Sequence, residues 1–214
     1  MSTKMLKWMV LPAAVLLVGS VALAQDQSSS SSSGQSSTPA STPKPGEVAQ
    51  RKENQQDRIA NGVKSGQLTA GETANLENKE AAINGETRAD RAANGGKLTQ
   101  AEKGQVNRQQ NRLSNQIYND KHNANTAHYG NNQVGQRRQS QQDRIAQGIK
   151  SGQLTAGETS KLENQQRGIN QQVRADRAAN GGKLTQGEKQ QVNREQNGAS
   201  RNIYNKKHNA NTQK

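Results

Sequence analysis

Histidine is the side chain best suited to proton transfer or metal ligation near neutral pH, and this chain has three, His122, His128 and His208. A zinc centre asks for three or four ligands at suitable spacing. His122 and His128 have no fixed carboxylate beside them, and the chain has no cysteine. Tyr118 and His122 stand four apart, one face of a helix. That spacing suits a tyrosine covering the end of a core and a histidine at a helix C-terminus, where positive charge is favoured. Glu72 and Glu102 each follow a threonine by three residues, which is the pattern of a capping box and not of a catalytic carboxylate pair. No serine lies in a nucleophile-elbow pattern. The expectation is a protein that is not an enzyme and holds no metal or cofactor.

The elements that carry these residues are organised by an N-terminal lead and a duplication. Residues 1–24 begin with Lys4 and Lys7, continue through an apolar stretch from Trp8 to Val18 and close on Val21-Ala22-Leu23-Ala24. This is the order of a secretory signal peptide, and it predicts cleavage before Gln25, export to the periplasm or medium, and no stable membrane anchor after cleavage. Residues 25–47 are rich in Ser, Gln, Thr and Pro, with an unbroken run from Ser28 to Ser33. Such a composition predicts a disordered tether. Residues 48–126 then recur as 134–212 at a constant offset of 86, roughly two thirds identical, across a linker at 127–133. SGQLTAGET, RADRAANGGKLTQ and KHNANT are unchanged between the copies.

Three helices are expected per repeat. The first spans about Val48 to Asn61 and closes at Gly62, with Ile59 and Val63 inward. The second starts at the box Thr69-Ala70-Gly71-Glu72, carries Leu76 and Ile83, and stops at Asn94-Gly95-Gly96. The third starts at Thr99-Gln100-Ala101-Glu102 and aligns Val106, Leu113 and Ile117. Thr155 with Glu158 and Thr185 with Glu188 repeat the boxes in the second repeat, residues 134–214. The fold expected is all-α: a tandem pair of three-helix up-down-up units after the disordered lead. Only 28% of residues are hydrophobic, and the apolar stripe is narrow, so a thin core of low stability is expected.

Two resemblances follow from these motifs. Asn61 to Glu72 and Arg91 to Glu102 resemble EF-hand loops in register, with Gly66 and Gly96 at the sixth place and a glutamate at the twelfth. They depart where calcium would bind, holding Asn61, Val63 and Ser65 or Arg91, Ala93 and Gly95 at the first, third and fifth places. One carboxylate per loop is too few for a calcium site. The whole repeat, with SG-x-LT-x-x-E and a closing IY-x-x-KHN, is similar to a group of small exported bacterial proteins. That resemblance implies a bacterial, exported, helical protein and transfers no functional residue.

Charge supplies the remaining clue to function. The chain has 30 Lys plus Arg against 17 Asp plus Glu, a formal net charge of +13. Repeat one holds 12 basic and 9 acidic residues, net +3, and repeat two 14 and 6, net +8. Asn75, Ala81 and Asp120 become Lys161, Arg167 and Lys206. Such a field attracts polyanions, and Arg137, Arg138, Lys161, Arg167, Arg174, Arg177, Lys206 and Lys207 are the candidate binding residues. Phe is absent and Tyr occurs three times, too few aromatics for a base-stacking platform. The expected partners are therefore anionic polysaccharide, lipopolysaccharide or extracellular DNA, met by an exported non-enzymatic repeat protein. The alternative is a hydrophilin-like stress protectant, suggested by a mean hydropathy of −1.15.

Overall fold

A computed structural model describes residues 46–213; the expected signal peptide, and the tether up to residue 45, lie outside them. The described residues form six helices and no strand: α1 Glu47–Ser65, α2 Ala70–Ala93, α3 Gln100–Lys121, α4 Gln133–Lys150, α5 Ala156–Ala179 and α6 Gln186–Lys207. None of them is long and apolar enough to cross a membrane.

Helix starts follow the local signals. Thr69, Thr99, Thr155 and Thr185 each accept a hydrogen bond from the amide of the glutamate three residues on, and that glutamate reaches back to the cap. The box satisfies amides that the first helical turn would otherwise leave without partners. Asparagines of the KHNANT segment lock onto the same glutamates: Asn123 and Asn125 donate to Glu72 Oε1 at 2.8 and 3.1 Å. Asn209 does the same to Glu158 at 2.6 Å. The unchanged SGQLTAGET and KHNANT runs are thus two halves of one contact. Thr69→Ala and Thr155→Ala should each lower stability by about 1 kcal/mol, measurable as a drop in denaturation midpoint; unchanged midpoints in both variants would remove the boxes from the stability argument.

One boundary corrects the sequence expectation. α1 does not close at Gly62 but continues to Ser65, and Gly66, at φ 73°, is its left-handed cap. Gly62 is instead a point of close approach, since a Cβ there would come within 2.7 Å of the Leu68 side chain. Gly148 stands in the same relation to Leu154. Tyr118 is a second correction. Its ring does not cover the core but is 58% exposed and stacks on His122 at 4.2 Å between centroids, as Tyr204 does on His208.

Hydrogen bonds fix the helix directions within a repeat. Arg51 bonds Asn107 and Asn111, Gln55 bonds the Gln110 carbonyl and Ser114, and Arg58 bonds the Ser114 carbonyl. The register climbs together, so α1 and α3 are parallel. Glu86 pairs with Gln105 and Gln109 whereas Lys79 pairs with Gln116, so α2 is antiparallel to α3. Up-down-up therefore describes each triplet.

The triplets are not separate beads. α2 packs on α5 and α1 on α4, with Ser160 Oγ donating to Asn78 Oδ1 across the pair at 2.6 Å. One apolar cluster runs from Ile59, Leu76 and Leu113 of repeat one to Ile145, Leu154 and Leu162 of repeat two. Glutamines fill much of the remaining interior. Gln110 Nε2 donates to the Val48 carbonyl and Gln196 Nε2 to the Val134 carbonyl, both at 2.9 Å. Gln55 and Gln141 each reach a carbonyl of the third helix at 2.7 Å. The four Nε2 donors are paired in this way and avoid the cost of unsatisfied buried donors, although Gln55 Oε1 and Gln196 Oε1 are buried without a partner.

Candidate functional site

Packing α2 antiparallel on α5 brings the start of each helix against the far half of the other, and a groove forms at each end. The first groove, of about 680 Å³, lies over repeat one. Its walls are Lys52 of α1, Asn84, Thr87, Arg88 and Arg91 of α2, the α5 start at Thr155, Ala156 and Gly157, and the segment Ala210 to Gln213. The second, of about 320 Å³, lies over repeat two. There Arg138, Asn170, Val173, Arg174 and Arg177 face the α2 start at Thr69 and Ala70 and the segment Thr126 to Tyr129. Lys52, Arg88 and Arg91 correspond to Arg138, Arg174 and Arg177 at the 86-residue offset. The two grooves are thus pseudo-symmetric, each made by both repeats.

They differ in what the chain places inside them. Tyr129 enters the second groove, where the Arg138 guanidinium lies 5.4 Å from its ring centroid, a favourable cation–π distance. Burial, with Glu163 nearby, pushes the Tyr129 phenol up to about 12. Burial also lowers Arg138 from its ordinary value, and Arg174 and Arg177 add to that effect. In the first groove Lys52 Nζ donates to the Gln213 carbonyl at 2.6 Å, and Gln213 Nε2 donates to Gln56 Oε1.

A further depression of about 520 Å³ adjoins the second groove through Arg177 and adds Lys183 and Lys189. No Asp or Glu lines it or either groove. Arg138, Arg174, Arg177, Lys183 and Lys189 consequently make one basic strip.

Of the eight residues expected from sequence, the structure brings Arg138, Arg174 and Arg177 together. Arg137 bonds Asn193 and Asn197 on α6. Lys161 is exposed at the start of α5, and Arg167 lies beside Gly71 of repeat one. Lys206 and Lys207 close α6, with Lys207 Nζ bonded to Gln147 Oε1 at 3.2 Å near the far end of α4. Counting charge by repeat overlooks Lys183 and Lys189, and it overlooks Lys52, Arg88 and Arg91 altogether. The RADRAANGGK run, identical in both repeats, is the sequence signal that points to most of them.

The motifs with chemical potential are engaged elsewhere. His122 Nδ1 donates to the Tyr118 carbonyl at 2.6 Å and His208 Nδ1 to that of Tyr204 at 2.7 Å. Asn61, Val63 and Ser65, the places of an EF-hand's first ligands, are all within α1. Among the described residues no three His, Asp or Glu side chains gather as a metal ion would need. Set against protein-family models, curated proteins and solved structures, the chain matches none.

Proposed function

We propose that this is an exported, non-enzymatic helical repeat protein that binds anionic polymers of the cell envelope or surroundings through its second repeat. The observation that carries this reading is the acid-free strip of Arg138, Arg174, Arg177, Lys183 and Lys189 along two adjoining grooves. Guanidinium and ammonium groups spaced along a surface suit a ligand with repeated phosphate, sulfate or carboxylate groups, and displaced counterions make such binding steeply salt-dependent. Acidic polysaccharide, lipopolysaccharide and extracellular DNA all have that chemistry.

The test uses the intact chain, since the repeats share a core. Heparin and duplex DNA should bind with a log affinity that falls with log salt, and Arg174→Ala with Arg177→Ala should make that slope shallower by about one for each phosphate no longer neutralised. Returning Lys161, Arg167 and Lys206 to Asn, Ala and Asp, as in repeat one, removes four units of charge. That variant should weaken binding through the general field, by less than the paired arginine variant does. Binding insensitive to salt, or unchanged in both variants, would overturn the reading.

A further inference from the structure

Five asparagines in the chain are followed by glycine: Asn61, Asn84, Asn94, Asn180 and Asn197. An Asn-Gly pair can close on itself, because the next amide nitrogen attacks the side-chain carbonyl carbon and glycine has no Cβ to hinder the approach. Three of the pairs lie inside helices: Asn61-Gly62 in α1, Asn84-Gly85 in α2 and Asn197-Gly198 in α6. There the glycine amide is committed to the carbonyl four residues back.

Asn94 and Asn180 stand apart. Each caps the end of its helix, α2 or α5, is exposed, and is followed by two exposed glycines of positive φ, 62° and 89° in one turn and 59° and 87° in the other. The amides of the asparagine, of the second glycine and of the lysine after it close each turn. The first glycine's amide makes none of these bonds, and a Cβ at Gly95 or Gly181 would meet nothing within 4 Å. The nucleophile is thus free and its surroundings are open. Restraint comes from the side-chain amide under attack. Asn94 Nδ2 donates to the Asp90 carbonyl at 2.8 Å and to Glu102 Oε1 and Oε2 at 2.8 and 3.0 Å. Asn180 Nδ2 donates to the Asp176 carbonyl and to Glu188 Oε1, both at 2.8 Å. Glu102 and Glu188 are held below the usual carboxylate range, chiefly by the hydrogen bond from the Thr99 or Thr185 amide.

We propose that Asn94-Gly95 and Asn180-Gly181 are sites of self-modification, at which the asparagine loses its side-chain amide and a carboxylate takes its place beside Glu102 or Glu188. The glycine amide gives its proton to hydroxide as its nitrogen bonds to the asparagine Cγ. The Cγ–Nδ2 bond then breaks, and ammonia leaves with a proton from water, which regenerates the hydroxide. A second water opens the resulting cyclic imide at either carbonyl, so the products are aspartate and isoaspartate and water is the only co-reactant consumed. The asparagine ψ, 32° at Asn94 and 35° at Asn180, must turn before the ring closes. Release of Nδ2 from the glutamate therefore gates the step. Once it has occurred two carboxylates face each other where an amide donated to one, and their repulsion keeps the turn from closing again. Asn180 lies in the chain between Arg177 and Gly182, which both line the basic depression of repeat two, so modification there also puts a negative charge beside the strip. That consequence rests on the polyanion reading, whereas the modification itself does not.

Peptide mapping by mass spectrometry, after the full chain has been held in mildly alkaline buffer, tests the sites. In the folded chain Asn94 and Asn180 should convert about tenfold or more faster than Asn61, Asn84 and Asn197, which react only when their helices open. Both aspartate and isoaspartate should appear. In denaturant all five should convert at similar rates, which assigns the contrast to the fold. Equal rates at all five in the folded chain, or conversion at neither turn while the denatured chain converts, would overturn the proposal. Asn180→Gln should abolish conversion at that turn and leave Asn94 unaffected. Asn180→Asp, which carries the product's charge, should weaken heparin binding several-fold. An unaltered affinity would overturn the link between the modification and the strip, and a native chain that converts but binds no heparin would remove the polyanion reading alone.

Discussion

Stability is expected to fall as pH rises from about 5 to about 9, and replacing Glu77 and Glu163 together with glutamine should remove most of that fall. Both carboxyls lie on the α2/α5 face with no exposed surface. Gln56 donates to Glu77 Oε2 at 3.1 Å and Gln142 to Glu163 Oε2 at 2.9 Å, while the second oxygen of each has no partner. Burial disfavours the charged form. It pushes Glu77 well above the usual carboxylate range, with Glu80 and Glu163 adding to the rise against the Gln56 hydrogen bond. Burial likewise takes Glu163 to about 8, and it takes Glu80 to about 7 against the opposing pull of Lys52 and Asn84.

These groups keep their protons in the folded chain where the unfolded chain, titrating near 4.5, has released them. The folded state therefore binds more protons between those limits, and stability declines with rising pH by up to about 1.4 kcal/mol per unit for each group. Below about pH 4.5 both states are protonated and this contribution is complete; it is lost as pH rises through about 7 for Glu80 and about 8 for Glu163. Thermal melting followed by circular dichroism should show a midpoint that drops on the alkaline side in the native chain and is flatter in Glu77→Gln/Glu163→Gln. The chain already contains a substitution of this kind: Gln166 stands where repeat one has Glu80, buried and bonded to Gln141 Oε1 at 3.1 Å. A midpoint that rises with pH, or a double variant less stable than the native chain at about pH 9, would show these carboxyls to be ionised and held by something other than burial.

The parts of the fold that are legible in the sequence are those whose cause is local. A capping box spans four residues and needs nothing from elsewhere, so all four stand at the helix starts where the sequence places them. Gly62 and Gly66 show where local signals stop. Both are glycines near the end of an amphipathic stretch, but one is required by a side chain that packs against it and the other by its backbone angle. Only tertiary contact separates those causes. The α2/α5 face is not legible for a related reason. Thr73, Asn78, Glu77, Ser160 and Glu163 have the polarity of a solvated helix face, the partners of the two glutamates lie 21 residues away, and the acceptor of the Ser160 hydroxyl, Asn78, lies 82 away. The candidate site is half legible: its arginines are visible as charge, but the groove belongs to neither repeat alone, and summing charge within each repeat cannot show a cleft whose opposite wall comes from the other.

Gly135→Ala is expected to be among the most damaging single methyl additions to this chain, although alanine is the better helix former. Gly135 is the third residue of α4, and its amide donates to the N-cap, Asn132 Oδ1, at 3.0 Å. In an open helix the exchange would stabilise by up to about 1 kcal/mol, and Ala49 fills the equivalent place in α1. At Gly135, however, a Cβ would overlap the Tyr129 carbonyl and press on that of Gly130. These are backbone atoms of a segment tied at both ends, by Ala127 N to the Gly66 carbonyl at 2.8 Å and by the Asn132 cap, so a rotamer change cannot relieve the overlap. The segment must lift, taking Tyr129 off Arg138 and opening the second groove. A destabilisation of about 2 to 4 kcal/mol is expected, in the range of overpacked interiors with an added backbone shift, together with greater solvent quenching of tyrosine fluorescence as Tyr129 is uncovered. The converse change, Ala49→Gly, meets no such neighbour and should cost no more than about 1 kcal/mol. Equal and small effects at the two positions would mean that the linker does not rest on α4.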